Sequence, residues 1–216
     1  MIIDCIADLH GHYPTLAGGD LLIVAGDLTA HDISHERHVF LQWLAEQDYR
    51  KKVWIGGNHD NSLVGLTFTP TRHDAAEYLC DSGTEFQGLK IWGSPWSLTF
   101  DGINPRCTAF TGTEEDLKKK YDMIPDDIDI LITHGPPYGI RDEVLNWHTG
   151  KAESVGSKSL MTRVQDINPK YHIFGHIHEG YGTYESEDKY LTTKFINCSH
   201  VNELYEPVNK PVRIIL

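Results

Sequence analysis

Val53-Trp54-Ile55-Gly56-Gly57-Asn58-His59-Asp60 is an apolar run that stops at glycine and continues at once into an amide, an imidazole and a carboxylate. Its apolar part is too short for a helix and reads as a buried strand. The same grammar recurs four times. Ile2 to Ala7 precedes Asp8-Leu9-His10, Leu21 to Ala25 precedes Gly26-Asp27, Ile128 to Thr133 precedes His134, and Tyr171 to Phe174 precedes Gly175-His176-Ile177-His178. Strands alternating with helical segments predict an α/β domain. In such a fold the carboxyl ends of strands share one edge and ligands bind in the crevice beside it, so the five clusters are expected to converge.

The apolar spacing of Val39, Phe40, Trp43 and Leu44 predicts a helix near Ser34 to Gln47, and that of Leu160, Val164 and Ile167 another near Ser157 to Ile167. A third, near Thr113 to Tyr121, opens on a Thr113–Asp116 pair that resembles a capping box. Its Lys118 to Lys120 run reads as a solvated face. Lys90 to Trp92 is a further strand. After Ile177 the chain turns to strand-and-turn composition, with Tyr181 to Tyr184, Leu191 to Ile196 and Val212 to Leu216 extended and antiparallel pairing expected. The stretch from His148 to Ser159 reads as a mobile loop. No repeat or linker interrupts the 216 residues, and a single domain over 1–216 is expected.

Composition narrows the function classes. The chain carries 19 Lys and Arg against 31 Asp and Glu, a formal charge of -12 that repels nucleic acid and anionic lipid as a whole. A phosphate-bearing partner then needs a local positive charge. No run of 18 apolar residues is present, which argues against a membrane span. The four cysteines form no C-x-x-C pair, so neither a thiolate zinc site nor a disulfide framework is indicated. The amino-terminal residues lack a basic segment and read as a strand rather than a signal peptide, which makes a cytoplasmic location the default.

Asp, His and an Asn carbonyl form an oxygen and nitrogen donor set suited to manganese, iron or zinc. Glycine at positions 26, 57 and 175 suits strand-to-loop turns that need unusual φ and room beside an ion. Singly, each residue has a plainer reading: Asp8 as a turn residue, Asp27 as a helix cap, Asn58 as a turn former, His134 as a core histidine. Together, the D-x-H, G-D, G-N-H-D, H and G-H-x-H blocks resemble the calcineurin-like metallophosphoesterase superfamily, over roughly positions 1 to 200. Gly93 to Trp96, His134 to Pro137 and Phe174 to Gly182 are similar to its small branch of metallophosphoesterase-domain-containing proteins, related to class III cyclic nucleotide phosphodiesterases.

The resemblance implies a four-layer α-β-β-α sandwich with a dinuclear site at the strand ends. It places Asp8, His10, Asp27 and His178 on one divalent ion and Asp27, Asn58, His134 and His176 on the other, with Asp27 bridging. Manganese is expected, with iron or zinc compatible. A hydroxide shared by the ions would attack phosphorus, Asn58 would help hold the phosphoryl oxygens, His59 would protonate the leaving oxygen and Asp60 would orient His59. The implied reaction is hydrolysis of small or cyclic nucleotide-like phosphodiesters. A phosphomonoesterase of the same fold and a non-catalytic scaffold are the alternatives. Leu28-Thr29-Ala30 after Asp27 departs from the arginine-bearing pattern of protein phosphatases. The acidic balance and the lack of a long basic stripe argue against a nucleic acid polymer as partner. No residue pattern sets an oligomeric state.

Of the remaining histidines, His12 lies close enough to His10 to touch substrate. His31, His35, His38, His73, His148, His172 and His200 are expected to be structural or superficial. Trp96, Tyr138 and Trp147 are candidates for an aromatic wall, and Arg141 for a phosphate contact, each with core filling or an ordinary surface role as the plainer reading.

Overall fold

The computed structural model describes residues 1–65, 76–100, 105–146 and 149–216. In chain order the elements are β1 (Ile2–Ile6), β2 (Gly19–Ala25), α1 (Ser34–Glu46), β3 (Tyr49–Ile55), β4 (Ala76–Tyr78), β5 (Ser82–Phe86), β6 (Leu89–Ser94), β7 (Ser97–Leu98), β8 (Thr111–Gly112) and α2 (Glu114–Tyr121). They continue with β9 (Ile130–Thr133), β10 (Glu143–Asn146), β11 (Lys151–Ser154), α3 (Lys158–Ile167), β12 (Tyr171–Phe174), β13 (Gly182–Glu185), β14 (Lys194–Asn197) and β15 (Val212–Ile215).

Alternation along the strands builds the layers, because successive side chains leave a strand on opposite faces. Ile3 and Cys5 of β1 and Ile23 of β2 meet Ile132 of β9 and Ile173 of β12 in a dry core. The intervening Ile6, Leu22 and Val24 face Phe40, Trp43 and Leu44 of α1. Leu131 and Phe174 face Leu117 and Tyr121 of α2 and Leu160 and Val164 of α3. Two sheets therefore pack face to face with helices outside both, the α-β-β-α sandwich expected. One sheet runs β15-β1-β2-β3-β4 and the other β13-β14-β12-β9-β6-β5. The convergence edge belongs to two sheets, since β1, β2 and β3 lie in the first and β9 and β12 in the second. A bridge between Ala7 and Ser199, with Ala7 N–H donating to Cys198 O at 2.9 Å, joins the sheets at that edge.

The capping box forms: Asp116 N–H donates to Thr113 Oγ1 at 3.3 Å and Thr113 N–H to Asp116 Oδ2 at 3.3 Å. Three expectations need correction. β14 pairs antiparallel with β13 but parallel with β12, because it returns to extend the parallel stack. The expected mobile loop instead contains β11, which pairs with β10 as an antiparallel ribbon. Lys120 is not merely solvated, since its Nζ lies 3.0 Å from Asp81 Oδ2 and 4.2 Å from the centre of the Trp96 ring. All four cysteines are unpaired, with Cys5 and Cys198 buried. Among the described residues no helix is long and apolar enough to cross a membrane.

Candidate metal centre

The strand-end residues do not continue the strands. Asp8, His10, Asp27 and His176 have φ of +51°, +42°, +50° and +69°, in the left-handed region. Asp and His tolerate that region better than branched residues, at about 1–2 kcal/mol each. The swerve turns their side chains back over the sheet edges. Gly26 alone of the three motif glycines has positive φ, +95°. Gly57 and Gly175 serve by close approach instead: a Cβ at Gly57 would overlap Asp27 Oδ1, and one at Gly175 would overlap Asp8 Oδ2.

The side chains of the seven expected ligands come together. Ligand atoms of Asp8, His10 and His178 lie within 4.8 Å of one another, as do those of Asp27, His134 and His176. His134 Nε2 is 2.9 Å from Asn58 Oδ1, which places the amide beside the second group. Asp27 lies between the groups and faces both: its Oδ1 is 3.3 Å from His134 Nε2, and its Oδ2 is 3.6 Å from His10 Nε2. Backbone and second-layer contacts fix the set. Asp8 accepts from His176 N–H at 2.9 Å and from Ser199 Oγ at 2.6 Å. His134 Nδ1 faces Ala25 O at 3.0 Å and His178 Nδ1 faces Asn202 O at 3.1 Å, leaving each Nε2 for the centre.

Electrostatics match a cation site. Burial opposes the charge on Asp8, but the His178 hydrogen bond and charge outweigh it and hold the carboxyl at about 2. Burial likewise opposes ionisation of Asp27, and His134 pulls it well below the usual carboxylate range. Burial depresses His10 to about 4 and His176 to about 3, so both imidazoles are neutral lone-pair donors at neutral pH. His176 Nε2 is buried without a hydrogen-bond partner. Despite burial, Asp27 pushes His134 up to about 9 and Asp8 raises His178, so their protons balance the two buried carboxylates while the His176 nitrogen stays orphaned. A divalent cation would take the place of those protons and give that nitrogen a partner. The residues present fit such an ion.

A cleft of about 830 Å³ opens over the centre, lined at its base by Asp27, Asn58, His59, His176 and His178. His59 Nε2 stands 3.9 Å from Asp27 Oδ2, while its Nδ1 faces Ala30 O at 3.2 Å. Asp60 does not orient that ring. Its carboxylate accepts from Gly57 N–H at 2.9 Å, Leu28 N–H at 3.1 Å, and Thr29 N–H and Oγ1 at 3.1 and 3.0 Å. Asp60 thus ties the turn after β3 to the turn after β2. Burial and the neighbouring Asp27 charge push its pKa up to about 7.

Other expected contacts fall elsewhere. His12 is exposed and is not among the described residues lining the cleft. Arg141 donates to Thr183 O, Trp96 Nε1 donates to Asp81, and the Tyr138 ring carries Lys158. His172 is fully buried beside Thr133 Oγ1, and His200 Nδ1 faces Asn209 O. His35 and His38 are exposed. His73, Trp147 and His148 lie outside the described residues. Among the described residues, the aromatic rings other than histidine that line the cleft are Phe100 and Tyr205. Neither sits in a recognisable block, and only their packing against the ligand imidazoles reveals them.

Comparison with known proteins bears on the family and the fold. Residues 1–180 match the family model for Calcineurin-like phosphoesterase. The chain is 34% identical over 242 residues to Metallophosphoesterase domain-containing protein 1 of Homo sapiens, covering 98% of this chain and 70% of that protein. It is 31% identical over 229 residues to a UPF0046 protein of Caenorhabditis elegans, covering 94% of this chain and 78% of that protein. Phosphopantetheinyl Hydrolase of Mycobacterium tuberculosis shares the fold, with a TM-score of 0.58 at 15% identity over 99% of this chain and 95% of that one.

Proposed function

Because the chain belongs to the calcineurin-like phosphoesterase family, whose members are metal-dependent hydrolases, we propose that it is a phosphodiesterase acting on small or cyclic nucleotide-like diesters. Asp8, His10, Asp27 and His178 would hold one divalent cation, and Asp27, Asn58, His134 and His176 a second. The observation that carries this reading is the placement of Asp27, whose two oxygens face separate ligand groups. Manganese is the expected ion, with iron or zinc compatible, since the donor set is oxygen and imidazole nitrogen without thiolate.

Divalent cations in this centre would polarise phosphoryl oxygens and make water acidic enough to attack at neutral pH. The chain's own residues supply the rest. Asn58 lines the cleft base and orients a phosphoryl oxygen. His59, anchored through Nδ1 to Ala30 O, turns Nε2 to the cleft and delivers a proton to the departing ester oxygen. Asp60 positions the turn that carries Asn58 and His59. A diester is favoured over a monoester because no Lys or Arg is among the described residues lining the cleft, whereas Glu153, Glu179 and Glu203 are. That surround disfavours a second negative charge on the substrate.

Titrating purified protein with Mn²⁺ while following hydrolysis of bis(4-nitrophenyl) phosphate and 4-nitrophenyl phosphate tests the reading. Metal-dependent turnover with the larger kcat/KM on the diester, abolished in Asp27→Asn, is expected. A preference for the monoester would overturn the diester assignment, and no metal-dependent turnover on either would overturn the enzyme.

A further inference from the structure

Tyr205 and Phe100 pack against imidazoles of different ligand groups. The Tyr205 ring lies edge-on to His10 and His178, with centroids 4.9 and 5.1 Å away. The Phe100 ring stacks on His176 at 5.5 Å with 26° between planes. Both line the cleft, and Tyr205 is 41% exposed. Tyr205 also holds φ of +61°, an uncommon conformation for an aromatic residue. That conformation is fixed locally: Tyr205 N–H donates to Asn202 O at 2.9 Å, the carbonyl that His178 Nδ1 faces. One carbonyl thus places both a ligand imidazole and the ring above it.

We infer that Phe100 and Tyr205 form an aromatic bracket that determines specificity, each ring packing against one organic arm of a phosphodiester whose phosphorus sits between the two ligand groups. This rests on the phosphodiesterase reading and narrows it from cyclic to open-chain diesters: two separate arms, both planar or apolar, neither carrying a further phosphate. Leu98, Val144 and Val155 extend the apolar surface along the cleft. Glu153, Glu179 and Glu203 line the same cleft and exclude anionic arms. Contact of a planar group with an aromatic ring contributes about tenfold or more in affinity. Phe100 and Tyr205 are positioning residues rather than proton donors, so the ring and not the Tyr205 hydroxyl carries the effect.

Binding of diphenylphosphinate and dimethylphosphinate to the full chain loaded with Mn²⁺, measured by calorimetry, isolates recognition, because neither compound has an ester bond to break. Diphenylphosphinate is expected to bind at least about tenfold more tightly, with the gap narrowing in Tyr205→Ala and Phe100→Ala, persisting in Tyr205→Phe, and bound metal unchanged in all three. In parallel, kcat/KM for bis(4-nitrophenyl) phosphate relative to methyl 4-nitrophenyl phosphate should fall in the two alanine variants, through KM more than kcat. An unchanged phosphinate gap in both alanine variants overturns the bracket even if diesters are hydrolysed. A gap that depends on the rings, in a protein that hydrolyses no phosphoester, overturns the phosphodiesterase reading and leaves the bracket standing.

Discussion

His59 shares a cluster with His10 and Asp27 whose ligand atoms lie within 4.8 Å of one another, but each of the two proposed cations has its full ligand set without it, and its ring faces the cleft. Its Nε2 is 3.9 Å from Asp27 Oδ2, whereas its backbone N–H donates to Asp27 Oδ1 at 2.9 Å and survives any side-chain change. His59→Ala should therefore keep its metal content, measured by inductively coupled plasma analysis, and lose about 10²–10⁴ in kcat, most severely with alkoxide leaving groups. Gly175 makes a contrasting case. A methyl group there would overlap Asp8 Oδ2 and come within 2.6 Å of Ala7 Cβ, in a core with no room to yield. Gly175→Ala should fold with a loss of about 1–3 kcal/mol in denaturant titration and bind less metal, because Asp8 must leave its place.

At the scale of elements, the helices are held by side chains that join one to the next. Glu114 in the first turn of α2 accepts from Lys158 N–H at 2.7 Å and from Ser159 N–H and Oγ at 3.2 and 2.7 Å, so it caps α3 from outside. Burial opposes its charge, but these hydrogen bonds prevail and lower its pKa below the usual value. A depressed carboxyl pKa stabilises the fold above the unfolded-state pKa and ceases to do so as pH falls through the folded value. Glu114→Gln should thus cost about 1 kcal/mol at neutral pH, a figure reduced for the group's partial exposure. In urea titrations the variant and the parent should converge as pH falls below the ordinary glutamate range and through the lowered folded-state pKa of Glu114.

For the whole molecule, the centre doubles as a joint between the two sheets. Asp8, His10, Asp27 and Asn58 follow strands of one sheet, and His134, His176 and His178 follow strands of the other. Ions bound by both sets stabilise only the assembled sandwich. A cation at about a hundredfold its dissociation constant adds about 2.7 kcal/mol, so chelation should lower Tm by about 5–10 °C in calorimetry. An unchanged Tm on chelation and on Mn²⁺ addition would remove the ions from this joint.

The sequence by itself determined the strands that carry the motif residues, the three helices and which seven side chains to look for at the strand ends. Short apolar runs of three to six residues need no partner to be recognised, and Asp, His and Asn at their ends stand out against such runs. Three features were legible only in space. Left-handed turns at Asp8, His10, Asp27 and His176 redirect their side chains over the sheet edges, and backbone dihedrals leave no periodic mark in a sequence. Asp60, adjacent to His59 in the chain, turns away to bind Leu28 and Thr29, since neighbours in sequence need not face each other. Phe100 and Tyr205 reach the same cleft from segments more than a hundred residues apart. Their role follows from packing between distant parts of the chain, which the folded molecule alone brings together.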